Sequence, residues 1–112
     1  MRKFYRQLPQ EVIDILSVSN GWLIGSSIQS ILNDIIPNDY DIIIPQPNYR
    51  LLYRFLRQYN PEFNNHGGVK VNINDISIDI WIESLDTYLD RLKTNFTYAY
   101  NFNSNLLIKS DL

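Results

Sequence analysis

From Val69 to Ile82 apolar residues fall on alternate positions on both sides of Asn74-Asp75. Val69, Val71 and Ile73 lead into that dipeptide, and Ile76, Ile78, Ile80 and Ile82 lead out of it. This pattern predicts a β-hairpin closed by a two-residue turn. Successive side chains of a strand point to opposite faces, so one face of the hairpin carries the isoleucines and the other carries Ser77, Asp79, Trp81 and Glu83. An aspartate in mid-strand is disfavoured by propensity and costly to bury alone. Either that second face is solvated, or the Asp79 carboxylate has a cation.

The remaining elements must pack on this hairpin. Val12, Ile13, Ile15 and Leu16 follow Pro9 at helical spacing and Asn20-Gly21 supplies a stop, predicting a helix over roughly 9–19. Trp22-Leu23-Ile24 reads as a short strand ended by Gly25. Ser26 or Ser27 then caps a helix carrying Ile28, Ile31, Leu32 and Ile35, broken at Pro37-Asn38. Tyr40 to Ile44 reads as a buried strand, and Pro45 and Pro47 separate it from a helix with Leu51, Leu52, Phe55 and Leu56. Gly67-Gly68 opens the hairpin. A helix of about ten residues follows from Ser84, where Thr87 stands in the capping-box position, and Leu106-Leu107-Ile108 is a last strand candidate. With 112 residues and no linker or repeat, the chain is expected to be one domain over 1–112. The expected architecture is a small mixed sheet with helices packed against it, an α/β (α+β) fold.

Composition narrows the chemistry. There is no cysteine and one histidine, which removes thiolate and most zinc sites and leaves carboxylates to hold any metal. No apolar run approaches the roughly 20 residues of a membrane span, and the basic start Met1-Arg2-Lys3 lacks the apolar stretch of a signal peptide. A cytoplasmic protein with no membrane partner is therefore expected. The formal net charge of -2 argues against broad affinity for nucleic-acid phosphates, while leaving room for a local basic patch.

Asp39 and Asp41 stand two residues apart on a predicted strand and share a face, so both can reach one cation. The alternative is that Asn38 and Asp39 finish a turn and Asp41 is an ordinary strand-mouth residue. Asp79 on a neighbouring strand would complete an oxygen set suited to Mg²⁺, which binds through a few carboxylates plus substrate phosphates. Gly25-Ser26-Ser27 offers the matching half: a glycine between strand and helix lets the backbone approach a phosphate, and the first helical N–H groups and a hydroxyl donate to it. Its alternative is a plain helix cap. The dozen residues between Gly25 and Asp39 hold one helix and a return strand, which brings the two together.

The segment from Gly21 to Leu32, GWLIGSSIQSIL, with Pro37-Asn38-Asp39-Tyr40-Asp41-Ile42-Ile43 after it, resembles the head domain of tRNA nucleotidyltransferases and poly(A) polymerases within the wider nucleotidyltransferase superfamily. That head carries a Gly-Gly or Gly-Ser signature and a two-carboxylate strand. Ile78-Asp79-Ile80 matches the superfamily's third carboxylate, and Lys93-Thr94-Asn95-Phe96-Thr97 with Ala99-Tyr100-Asn101 resembles the stretch that closes the head. The resemblance covers about residues 20 to 108. It implies metal-dependent transfer of a nucleoside monophosphate from an NTP to an acceptor hydroxyl on RNA, protein or a small molecule. It also implies that Asp39, Asp41 and Asp79 hold Mg²⁺ or Mn²⁺, and that Gly25, Ser26, Ser27 and Lys93 meet the nucleotide. Gln29-Ser30 stands where the family has Arg-Asp, and Lys93-Thr94-Asn95 where it has Arg-Arg-Asp. The chain stops where the family's neck and body would begin. Two other readings of the same scaffold are a non-catalytic nucleotide binder and a protein-interaction module.

Three weaker features remain. His66 beside Gly67-Gly68 reads as a loop residue. Arg50, Arg54 and Arg57 form a basic stripe at helical spacing, either a solvated face or a surface for RNA or an acidic partner. Tyr98, Tyr100 and Phe102 alternate and read as packing aromatics.

Overall fold

A computed structural model of the chain describes residues 7–65, 67–92 and 98–109. It is a mixed α/β structure. Helix α1 spans Gln10–Ser19, strand β1 Trp22–Ile24, helix α2 Ser26–Leu32, strand β2 Asp39–Ile44 and helix α3 Gln46–Leu56, which runs into a 3₁₀ turn at Arg57–Tyr59. Strands β3 (Glu62–Phe63), β4 (Gly68–Ile73) and β5 (Ile76–Ile82) follow, then helix α4 (Leu85–Leu92) and strands β6 (Tyr98–Asn101) and β7 (Leu106–Lys109). Among the described residues no helix is long and apolar enough to cross a membrane.

Local chemistry accounts for most boundaries. Pro9 precedes α1, and Asn20 ends it in the left-handed region at φ 53°. The Asn74-Asp75 turn has both residues at positive φ, 51° and 67°, the conformation that closes a twisted hairpin. The Ser84 hydroxyl accepts from the Thr87 N–H at 3.2 Å and donates to the Thr87 hydroxyl at 2.8 Å, capping α4.

Helix α2 departs from expectation at both ends. Gly25, not Ser26 or Ser27, is its N-cap, with no side-chain capping bond. At the other end the helix stops at Leu32, before Pro37 is reached. Asp34 takes φ 59°, its N–H bonds the Ile31 carbonyl at 3.0 Å, and the Ile35 N–H bonds the Ser30 carbonyl at 2.8 Å. This Schellman closure satisfies the helix's last carbonyls and leaves Ile35 outside the helix, 58% exposed.

The strands form one sheet in the order β3-β4-β5-β2-β1-β6-β7. Among the described residues only β2 and β5 run parallel; the other neighbours are antiparallel. One face is covered by three helices: Val12, Ile15 and Leu16 of α1, Ile28 and Ile31 of α2, and Leu52 and Leu56 of α3 pack on Leu23, Tyr40, Ile42, Ile44, Val69, Val71, Ile78, Ile80 and Tyr100. The other face has a smaller apolar cluster in which Tyr88 of α4, with Leu85 and Leu89, covers Ile24, Ile43, Ala99, Trp22 and Trp81. The cover by α4 is partial, and the carboxylates stand on this face.

Strands β3 and β6 were not expected as strands. Strand β6 lies between β1 and β7, pairing Ala99 with Ile24 and with Ile108. Asn101 locks its end: buried to 5% exposure, its amide donates to the carbonyls of Asn20 and Gly21, and its Oδ1 accepts from the Ser104 N–H and hydroxyl. Of the three alternating aromatics, Tyr100 is fully buried while Phe102 falls in the turn after the strand.

Candidate active site

Registers across the sheet set the site. Ile24 pairs with Asp41, Asp41 with Asp79, and Asp79 with Lys70. These four residues stand on one row and therefore on one face. Asp39 pairs with Ser77 one step along the same face. On the other side of the carboxylate row, Ile43 pairs with Trp81 beneath the α4 cover. The carboxylates thus lie beside this apolar cluster, with Asp41 and Asp79 half-buried and Asp39 exposed.

This placement acts on their protonation. Burial raises the Asp41 pKa, and the charges of Asp79 and Asp39 raise it further, while Lys70 works against them. Burial raises Asp79 as well; there Lys70 lowers it and Asp39 adds to the rise. The side chains share a face and an electric field, but among the described residues no three acidic or histidine side chains stand as a preformed ligand cage.

Gly25 closes the site from the end of β1. Its backbone, at φ 78° and ψ -156°, lies in a region open essentially to glycine alone. A Cβ built there would stand 3.4 Å from the Asp41 Oδ2, so the strand-to-helix turn passes directly beside this carboxylate. Ser26 is exposed at the start of α2, whereas Ser27 is 1% exposed and its hydroxyl donates to the Ile24 carbonyl at 3.2 Å. The Ser27 hydroxyl therefore holds the turn together, and of the two seryl hydroxyls Ser26 is the one turned to solvent.

Lys93 and His66 lie outside the described residues. Lys70 was missed in the sequence, yet hairpin arithmetic finds it: with Asn74-Asp75 as a two-residue turn, position 70 must oppose 79. A separate cavity of about 310 Å³, lined by Gln7, Ile31, Asp34, Ile35, Ile36, Pro37 and Tyr40, involves none of Asp39, Asp41 and Asp79. Tyr40 alternates with Asp39 and Asp41 and points to the helical side.

The sheet and its covering helices superpose on part of several solved structures. A CCA-adding enzyme in complex with ATP superposes with a TM-score of 0.69 at 15% identity, covering 99% of this chain and 32% of that one. The chain shares the fold of that part of a CCA-adding enzyme. The complex of CCA-adding enzyme with CTP gives a TM-score of 0.72 at 14% identity, covering 97% and 31%. Thermotoga maritima CCA-adding enzyme complexed with tRNA gives 0.71 at 16%, covering 96% and 31%. At these identities the likeness is one of fold, and the chain spans about a third of the length of the proteins it matches. No protein-family profile and no curated protein sequence matches the chain.

Proposed function

We propose that this chain works as a catalytic head that transfers a nucleoside monophosphate from an NTP to an acceptor hydroxyl on RNA, protein or a small molecule. The observation that carries the reading is the Asp41–Asp79 pair on adjacent parallel strands, with the Gly25 backbone packed beside Asp41. Solved proteins of the same fold hold ATP, CTP and tRNA, which agrees with it.

The donor set fits a hard divalent cation. Carboxylates gathered at raised pKa gain a counter-ion when Mg²⁺ or Mn²⁺ binds, and such ions coordinate carboxylate and phosphate oxygens together. Asp39, Asp41 and Asp79 are the residues that would hold them. Held there, such ions would supply positive charge to stabilise the attacking and leaving oxygens of an in-line displacement. The chain's own task is positioning. The backbone after Gly25 and the Ser26 hydroxyl face the triphosphate, Ser27 keeps the turn in shape, and Lys93 neutralises charge. The acceptor oxygen bonds the α-phosphorus as the bond to the β-phosphate oxygen breaks; pyrophosphate leaves and the acceptor proton passes to a carboxylate or water.

The test is incubation with each labelled NTP, Mg²⁺ or Mn²⁺ and total RNA or lysate, with label transfer and pyrophosphate as readouts. Transfer by the wild type, reduced on the order of a thousandfold in Asp41→Asn, is the expected result. Metal-dependent NTP binding without pyrophosphate would instead make the chain a nucleotide sensor, and no ligand affinity at all would favour an interaction module.

A further inference from the structure

Helix α3 and its 3₁₀ extension are basic throughout. From 46 to 59 there are Arg50, Arg54 and Arg57 and no acidic residue, within a protein of net charge -2. All three arginines are exposed. Leu52 and Leu56 take the buried side of the helix. Arg50 and Arg54 are four residues apart and share a stripe, and Tyr49 and Tyr53, one position earlier, form the stripe beside it.

The aromatic stripe extends beyond the helix. The Tyr49 and Tyr53 rings are 6.1 Å apart, and Tyr53 lies 6.0 Å from Phe63 on β3, an edge strand of the sheet. Phe63 pairs with Val69 and so belongs to the helical side of the sheet. A ring serving only to clamp β3 onto α3 would be buried, yet Phe63 is 60% exposed and Tyr53 36%. A row of partly open rings beside a row of guanidinium groups matches a strand whose bases stack while its phosphates meet arginine.

We propose that Tyr53, Phe63 and the Arg50–Arg54–Arg57 stripe bind a single-stranded polynucleotide. The surface is on the side of the sheet away from Asp41 and Asp79, and the inference stands independently of the transfer reaction. A duplex hides the base faces these rings need, and an acidic peptide would use the arginines without the rings. Stacking tolerates any base and does not read the sugar, so RNA and DNA single strands are both ligands.

The test is a fluorescence-anisotropy titration with labelled polyuridine and poly-deoxythymidine strands of about twelve nucleotides, within the site sizes usual for such surfaces. A matching duplex and poly-glutamate are the comparison ligands. Both single strands are expected to bind, with affinity falling with salt at a log–log slope of about -2 for three phosphate contacts. Phe63→Ala is expected to weaken binding about tenfold, with the melting curve measured alongside. Arg54→Gln, a change at an exposed side chain that leaves the core intact, is expected to reduce the salt slope by about 0.7. Duplex or poly-glutamate binding as tightly as the single strands, or unchanged affinity in a folded Phe63→Ala and in Arg54→Gln, would overturn the proposal.

Discussion

Alternate residues of strand β2 live in two different environments. Tyr40, Ile42 and Ile44 are 3%, 0% and 0% exposed beneath three helices. Asp39 and Asp41 point the other way, onto the face where α4 packs on Ile24 and Ile43. One backbone thus serves both sides, and the period of two separates their duties. The helical face supplies apolar burial, the main favourable term in folding. The opposite face gathers like charges at raised pKa, which opposes folding.

Removing a side chain from the helical face gives the sharpest contrast. Ile42→Ala is expected to cost about 2–5 kcal/mol in denaturant unfolding, through lost burial and the cavity left in the core. A cost below about 1 kcal/mol would mean that this face is not the stabilising one. On the other side, a saturating Mg²⁺–NTP at about 100 times its dissociation constant should stabilise the protein by roughly 2.7 kcal/mol in calorimetry. Asp41→Asn should abolish that gain; retention of the full gain would detach the nucleotide from this face.

Gly25 tests how the two sides meet. Its φ of 78° with ψ -156° makes Gly25→Ala strained by about 1–3 kcal/mol, whatever space a methyl finds. The loss should appear in the melting temperature together with weaker nucleotide binding, since the turn passes Asp41. Loss of stability with unchanged nucleotide affinity would make the turn purely structural.

The smallest effect concerns protonation. The folded-state pKa values of Asp41 and Asp79 lie above the ordinary 3.8, so over the interval from 3.8 up to the raised values the native state binds more protons than the unfolded chain. Stability of the metal-free protein should therefore fall as pH rises through that interval, the reverse of the usual salt-bridged carboxylate. Asp41→Asn should flatten the fall and leave the metal-free melting temperature equal or slightly higher. Unfolding of the metal-free Asp41→Asn protein would make Asp41 a structural strand-end residue.

Much of this arrangement was legible in residue order. The hairpin around Asn74-Asp75, the parity that sets Asp79 apart from Ile78 and Ile80, and the strand–glycine–helix at Trp22 to Ser27 are local patterns, set by neighbours a few positions away. Strand β6 was not, because Tyr98 to Asn101 becomes a strand by pairing with Trp22 to Ile24, far earlier in the chain. The fate of the Ser27 hydroxyl was equally hidden, since its acceptor is the Ile24 carbonyl brought round by the Gly25 turn.

The same division holds for the candidate site. Residue order alone sets which residues share a face within each strand, because side-chain direction along a strand alternates with fixed period. It also determined that carboxylates would be the plentiful anionic ligands, since cysteine is absent and histidine nearly so. Only the tertiary structure decided that β2 lies parallel to β5 in the register that sets Asp41 against Asp79 and adds Lys70 to their row. A parallel pair has no connecting turn to fix its register. That register is chosen by the fit of Ile42, Ile44, Ile78 and Ile80 against the helices, a property of the packed core as a whole.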